Sequence, residues 1–124
     1  LLAFILETAG SYSNTILMGD FNTGPKGTKF VAEVPSHYDR LIDAGYLNPY
    51  VTNADADCTY CSNNPLNKSS GGSSTVIDHI FLGGLNDVRE SRRVLDDTIE
   101  VENCGKNIET GYSDHYAVSV SFAY

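Results

Sequence analysis

Apolar positions along this chain come in short runs broken by polar, glycine-rich stretches, and the spacing within each run predicts its element. Over residues 1–10, Leu2, Ile5 and Leu6 recur at helical spacing and Gly10 follows as a left-handed C-cap, which predicts an amphipathic helix. Thr15-Ile16-Leu17-Met18 predicts a buried strand that breaks off at Gly19-Asp20-Phe21-Asn22-Thr23-Gly24-Pro25. Helices are predicted over Thr28 to Val34 and Tyr38 to Ala44, the second closed by Gly45. Residues 51–75 read as a surface loop inside one domain, with Ser69-Ser70-Gly71-Gly72-Ser73-Ser74 resembling a flexible linker. Val76 to Leu82 is a predicted strand interrupted by the charged Asp78 and ended by Gly83-Gly84, and Glu90 to Asp97 is another. From Tyr116 to Tyr124, Ala117, Ser119 and Ser121 alternate with Val118, Val120 and Phe122, the period of a half-buried strand. The mixture predicts an α/β (α+β) fold with a mixed or mainly antiparallel sheet.

Bulk composition narrows the function classes. A chain of 124 residues, 41% hydrophobic, is long enough for one domain with a core. Its 16 acidic and 8 basic residues give a formal charge of -8, which opposes the basic footprint of a duplex-binding module but suits an enzyme that holds cations. No run approaches the roughly 18 apolar residues needed to span a bilayer. Leu1 to Leu6 is cut short by Glu7 and lacks a positive flank, an initiating Met and a cleavage pattern, so it reads as the middle of a helix in a longer protein. Cys58 and Cys61 form a C-x-x-C and Cys104 stands apart. With no second pair for zinc and no strand-to-helix context for redox work, a structural disulfide is expected, within the pair or to Cys104. That favours a secreted or extracytoplasmic setting. The sequon Asn67-Lys68-Ser69 carries meaning only in a eukaryotic secretory context.

Three stretches set polar groups beside apolar strands: Gly19-Asp20-Phe21-Asn22, Ile77-Asp78-His79-Ile80-Phe81, and Ser113-Asp114-His115-Tyr116-Ala117-Val118. In an extended chain Asp20 and Asn22, two apart, point to one side. Asp114 offers a cation ligand beside a titratable His115, and Asp78 can accept a hydrogen bond from that imidazole, which fixes its tautomer. Hydrolysis of a phosphodiester needs such a set: a base for water, a cation for the phosphoryl oxygens, and donors for developing charge. Taken singly each has a plainer reading, as turn chemistry at Gly19 to Asn22 and Ser113-Asp114, an edge carboxylate at Asp78, and a structural histidine at position 115. The three in this order are more specific.

These motifs resemble those of the endonuclease/exonuclease/phosphatase superfamily, which includes pancreatic-type deoxyribonucleases, abasic-site endonucleases, inositol polyphosphate phosphatases and neutral sphingomyelinases. The resemblance spans essentially the whole chain, with one departure at Ala117, where the family usually has a nearby Pro. It implies that His115 is the general base or a phosphate-contacting histidine, that Asp78 orients it, that Asp20 positions the attacking water, and that Asn22 contacts the phosphate. It also implies Mg²⁺ (or Mn²⁺), with Asp114 at or near the ion. The family's principal metal-binding Glu, an early Asn and a second catalytic His lie upstream of residue 1. Residues 1–124 are therefore expected to be the C-terminal part of one domain. They would form half of a four-layer α-β-β-α sandwich, supplying roughly one sheet with helices on one face and leaving the other face exposed. Alone, the chain is expected to be inactive or nearly so.

Substrate choice rests on loops. The Cys58 to Leu66 loop and the Ser/Gly stretch look more like secreted or bacterial sphingomyelinase-type members than DNA repair enzymes. The acidic balance agrees, because a zwitterionic lipid headgroup asks for less positive surface than a polyanionic duplex. A secreted deoxyribonuclease-like endonuclease is the alternative, with Arg89, Arg92 and Arg93 either lining a phosphate path or forming a solvated face. A noncatalytic scaffold or binding domain is a third reading, opposed by the five polar groups at strand mouths. His37 is expected to play no part as base, and His79 to point opposite Asp78. The eight tyrosines read as packing residues.

Overall fold

Leu2–Ala9 forms helix α1 in a computed structural model that describes residues 1–52, 56–68 and 71–123. Gly10 ends the helix at φ 73, its N–H donating to the Leu6 carbonyl, as a residue without Cβ readily allows. Ile5 is buried and Leu2 packs beside it, but Leu6 and Phe4 face outward, so the buried stripe is narrower than the spacing suggested.

Three strands build the main sheet: β1 (Thr15–Asp20), β2 (Tyr46–Leu47) and β3 (Asp78–Gly83), in the order β1-β3-β2 and antiparallel throughout. Strand β1 runs to Asp20, two residues past its apolar run, because the ladder with β3 continues to Asp20 opposite Asp78. Leu17 lies opposite Phe81 and Gly19 opposite His79, so these residues share one face while Met18, Ile80, Asp20 and Asp78 share the other. The first face meets both long helices: Ile5 of α1, Tyr38 and Leu41 of α2 (Pro35–Asp43), Tyr46 and Phe81 form one buried cluster. Phe81 is fully buried, with the Phe21, Tyr38 and Tyr46 rings around it at 5.1, 5.5 and 6.5 Å. Tyrosines thus serve packing here, as Tyr50 and Tyr116 do elsewhere, and burial pushes the Tyr38 phenol up to about 12.

No helix covers Thr28 to Val34. The residue before a proline is disfavoured in the helical region, so α2 begins only at Pro35, after Val34, which is left-handed at φ 33. The segment is held instead by long-range bonds, from Val31 N–H to the Ser74 carbonyl and from Gly24 N–H to the Glu33 carbonyl. A one-turn helix α3 (Pro49–Thr52) follows β2, with the Asn48 side chain accepting from Val51 N–H at its start.

The remaining strands make two further ribbons rather than extending one sheet: β4 (Val88–Val94) with β7 (Ala117–Phe122), and the hairpin β5 (Thr98–Asn103) with β6 (Lys106–Gly111). Strand β4 stops short of Asp97 because Leu95 turns left-handed at φ 57. Strand β7 shows no clean alternation, its residues being partly buried on both sides apart from Ser121. The architecture is α+β with mostly antiparallel strands in small sheets. No helix of the described residues is long and apolar enough to cross a membrane.

Since the Phe81 ring is the hub of the helix-facing cluster, Phe81→Ala is expected to destabilise the fold by about 3–5 kcal/mol. Urea unfolding followed by far-ultraviolet circular dichroism reads this as a lowered midpoint, and an unchanged midpoint would show that the cluster does not organise the fold.

Candidate active site

The β1–β3 register brings two carboxylates to one mouth of the sheet, since the last residue of β1, Asp20, lies opposite the first of β3, Asp78. The chain then leaves β1 in a turn, with Asn22 at φ 48, a left-handed conformation that asparagine tolerates. Asn22 N–H donates to Asp20 Oδ1 at 2.8 Å and its Nδ2 to Oδ2 at 3.3 Å. The amide and carboxylate therefore meet through this side-chain turn and not through strand alternation, because the extended chain ends at Asp20.

His115 arrives from the other side, on the Ser113-Asp114-His115 turn that leads into β7. Its Nδ1 lies 2.9 Å from Asp78 Oδ2, and the side chains are partly buried at 27% and 18% exposure. With Asp78 ionised, Nδ1 carries the proton and Nε2 is left as the free acceptor. Burial alone would lower the His115 pKa, but the Asp78 hydrogen bond and charge, reinforced by Asp114 and Asp20, outweigh it and raise the pKa. One ligand atom from each of Asp20, Asp78 and His115 lies within 4.8 Å of the others, a group of metal-ligating residue types. Two carboxylates at a solvent-facing mouth fit Mg²⁺ or Mn²⁺, since Mg²⁺ keeps several waters and takes only one or two protein carboxylates.

Asp114 is not part of that group. Its Oδ1 accepts from the Ser113 hydroxyl at 3.2 Å, so its link to His115 is through charge. His79 points to the opposite face, where Asn48 Nδ2 donates to its Nδ1 (2.9 Å) and its Nε2–H donates to the Thr23 carbonyl (2.7 Å). Burial lowers its pKa, as befits a neutral structural imidazole. His37 sits on α2, on the helix side of the sheet. Of Arg89, Arg92 and Arg93, the last is taken up internally: Arg93 ion-pairs with Asp57 and Asp96, donates to the Cys58 carbonyl and lies 4.6 Å over the Tyr116 ring. Arg92 pairs with Glu90, and Arg89 is exposed.

The segment over 56–68 is not the surface loop its composition suggests. Cys58, Thr59, Cys61, Asn64 and Asn67 are all buried, and a Cys58–Cys61 disulfide closes around Thr59 and Tyr60 while Cys104 stays free and exposed. Ser69 and Ser70 lie outside the described residues. Thr59 Oγ1 accepts from Ile77 and Asp78 N–H at 3.0 and 3.1 Å, and the Thr59 carbonyl accepts from Tyr116 N–H at 2.8 Å. Asn64 Nδ2 donates to the Ser113 carbonyl (2.9 Å), and Asn67 Nδ2 to the carbonyls of Asp114 (2.7 Å) and Cys61 (3.2 Å). The sequon nitrogen of Asn67 is thus buried in the fold rather than presented to a glycosyl donor. The Tyr60 ring lies 5.0 Å from that of His115. These residues surround the site yet carried no motif; the one local sign was two cysteines amid asparagines that can satisfy carbonyls. A groove of 440 Å³ opens beside His115, between Asn22, Glu33, Tyr60, Thr75 and Ile77.

Asp78→Asn removes the main influence that raises the His115 pKa, so NMR titration of the ring is expected to give a lower value than in the wild type. The linkage follows in sign. With the folded pKa above 6.5, protonated His115 stabilises the fold fully below about pH 6.5, and this is lost as pH rises through the folded pKa. The stability advantage of wild type over Asp78→Asn should therefore shrink across that window, and equal His115 pKa values in the two proteins would contradict the assignment.

Comparison with protein-family models, curated proteins and solved structures returns no match for this chain.

Proposed function

We propose that this chain is the C-terminal part of a metal-dependent phosphodiesterase of the endonuclease/exonuclease/phosphatase type, acting on a lipid headgroup phosphodiester in the manner of sphingomyelinases. The observation that carries the reading is the 2.9 Å bond from His115 Nδ1 to Asp78, formed at the same mouth as the Asp20–Asn22 pair. Imidazole and carboxylates side by side form an acid–base and cation-holding set with open access to solvent. Three motifs distant in sequence supply it, which turn chemistry at each would not require.

In this reading Asp78 holds the His115 ring in one tautomer and orientation, leaving Nε2 to take a proton from an attacking water or to contact a phosphoryl oxygen. Asp20 positions the water, and the Asn22 amide, already oriented by Asp20, donates to phosphate. Mg²⁺ or Mn²⁺, held by Asp20 and Asp78, would neutralise charge on the phosphoryl oxygens. Asp114 adds negative potential nearby. Ile16 and Met18, 41% and 69% exposed, lie on the same sheet face as the two carboxylates, which supports a second sheet packing there and completing the site. A charge of -8 supports a zwitterionic lipid over duplex DNA as substrate, and the disulfide supports a secreted setting.

The test joins this chain to the upstream residues that the superfamily resemblance calls for and assays sphingomyelin and duplex DNA with Mg²⁺. Lipid cleavage is expected, abolished by a chelator and reduced about 10²–10⁴-fold by His115→Ala. DNA cleavage with the same dependence would make the protein a nuclease, and no hydrolysis of either substrate by a folded protein would favour a scaffold role.

A further inference from the structure

Asp78 and His115 are brought together by elements that share no ladder. Asp78 opens β3 in the β1-β3-β2 sheet, whereas His115 precedes β7, which pairs only with β4 among the named strands. Strands β3 and β7 lie close to one another with no ladder between them, and proximity without a ladder allows small sliding between sheets. A hydrogen bond of 2.9 Å between a carboxylate and an imidazole on separate sheets needs a stiffer link.

We infer that the disulfide-closed 58–67 loop is that link, a clamp that sets the distance between Asp78 and His115, with Thr59 as its central positioning residue. Thr59 reaches both sides at once. Its hydroxyl takes the N–H groups of Ile77 and Asp78, and its carbonyl takes the N–H of Tyr116, next to His115. Asn64 and Asn67 fix the carbonyls of Ser113 and Asp114, so the turn carrying the histidine is held by three backbone attachments to one loop. Tyr60 stands opposite His115 in the isolated bridge that includes the Tyr116 to Thr59 bond, and it lays its ring against the imidazole. Cys58–Cys61 confines Thr59 and Tyr60 to a short closed ring, and Arg93 of β4 anchors that ring by donating to the Cys58 carbonyl. Thr59, Cys61 and Asn64 are fully buried, which excludes solvent from competing for these bonds. None of the clamp residues other than Tyr60 reaches the groove beside His115, so their effect on chemistry is exerted through the two residues they hold.

This inference rests on the reading of His115 as the reacting base, and the experiment separates the two. The low-field NMR signal of the His115 Nδ1 proton bonded to Asp78, assigned by its loss in His115→Gln, reports the pair directly and needs no activity. It is expected in the wild type and in Thr59→Ser, which keeps the hydroxyl. It is expected to vanish in Thr59→Val and to broaden strongly in Cys58→Ser/Cys61→Ser, with circular dichroism unchanged. In the active full-length enzyme, Thr59→Val should lower kcat about tenfold or more with KM nearly unchanged, and Thr59→Ser should restore it. An intact proton signal in both Thr59→Val and the double serine variant overturns the clamp, whatever the activity. Should Thr59→Val not fold, the double serine variant decides alone. Full activity in His115→Ala, beside a proton signal that still depends on Thr59, overturns the catalytic reading and leaves the clamp standing.

Discussion

The antiparallel register of β1 against β3 is the constraint from which the rest follows. Opposing Leu17 to Phe81 delivers an aromatic hub to the two helices, and the same alignment opposes Asp20 to Asp78 at the open end. Because side chains alternate, a slip of one residue would turn Phe81 and His79 outward and drive Asp78 toward the helix-facing core, so core and site cannot be misaligned independently. Burial of Phe81 and neutral, doubly bonded His79 on the helix side thus hold the carboxylates on the other. Hydrophobic energy and the placement of charge are parts of one choice of register.

Polar groups do the corresponding work on the second side of the site. Residues 56–68 are rich in asparagine and otherwise mostly polar or turn-forming, a composition that normally stays in water because its backbone donors and acceptors need partners. Here the partners are internal: Thr59, Asn64 and Asn67 meet main-chain groups of the strands and turns around them. A buried loop is tolerated when nearly every polar atom is satisfied, and among the described residues only the Thr75 hydroxyl is a buried side-chain polar atom without a partner. The loop therefore behaves as an interior connector between two sheets, with the Cys58–Cys61 disulfide and Tyr116 as its small apolar centre.

What was legible in the sequence divides along the same physical line. Helix α1 with its Gly10 cap, β1, β3 and the three polar motifs could be read because local pattern decides them: apolar periodicity, a glycine that accepts positive φ, charged residues where an apolar run stops. The helix expected over Thr28 to Val34 does not form, since Pro35 and distant bonds to Ser74 override a weak helical spacing. The β5–β6 hairpin went unread although Ile99 and Val101 alternate with Glu100 and Glu102. Its sign was the Cys104-Gly105 pair, both at positive φ as a tight hairpin turn demands, in a ribbon too exposed to give a strong apolar pattern. Thr59, Asn64 and Asn67 were illegible for a different reason. Their role is to bond main-chain atoms, which any residue can offer, so no matching residue type marks the other end.

The site draws charge and access from one arrangement. Asp20 is exposed, Asp78 and His115 are partly covered, and Asp114 stands outside the triad, so negative potential accumulates at a mouth that water still reaches. Such a cluster in a fully buried setting would shed its charge by protonation, and in a fully exposed one would be screened. At intermediate burial, desolvation would lower the His115 pKa, and the Asp78 hydrogen bond with the nearby charges of Asp78, Asp114 and Asp20 raises it instead. The hydrogen bond and the charges that raise the proton affinity of His115 thus depend on the same partial cover. That cover is supplied on one side by the Tyr60 ring, while Ile16 and Met18 are exposed on the sheet face they share with the carboxylates.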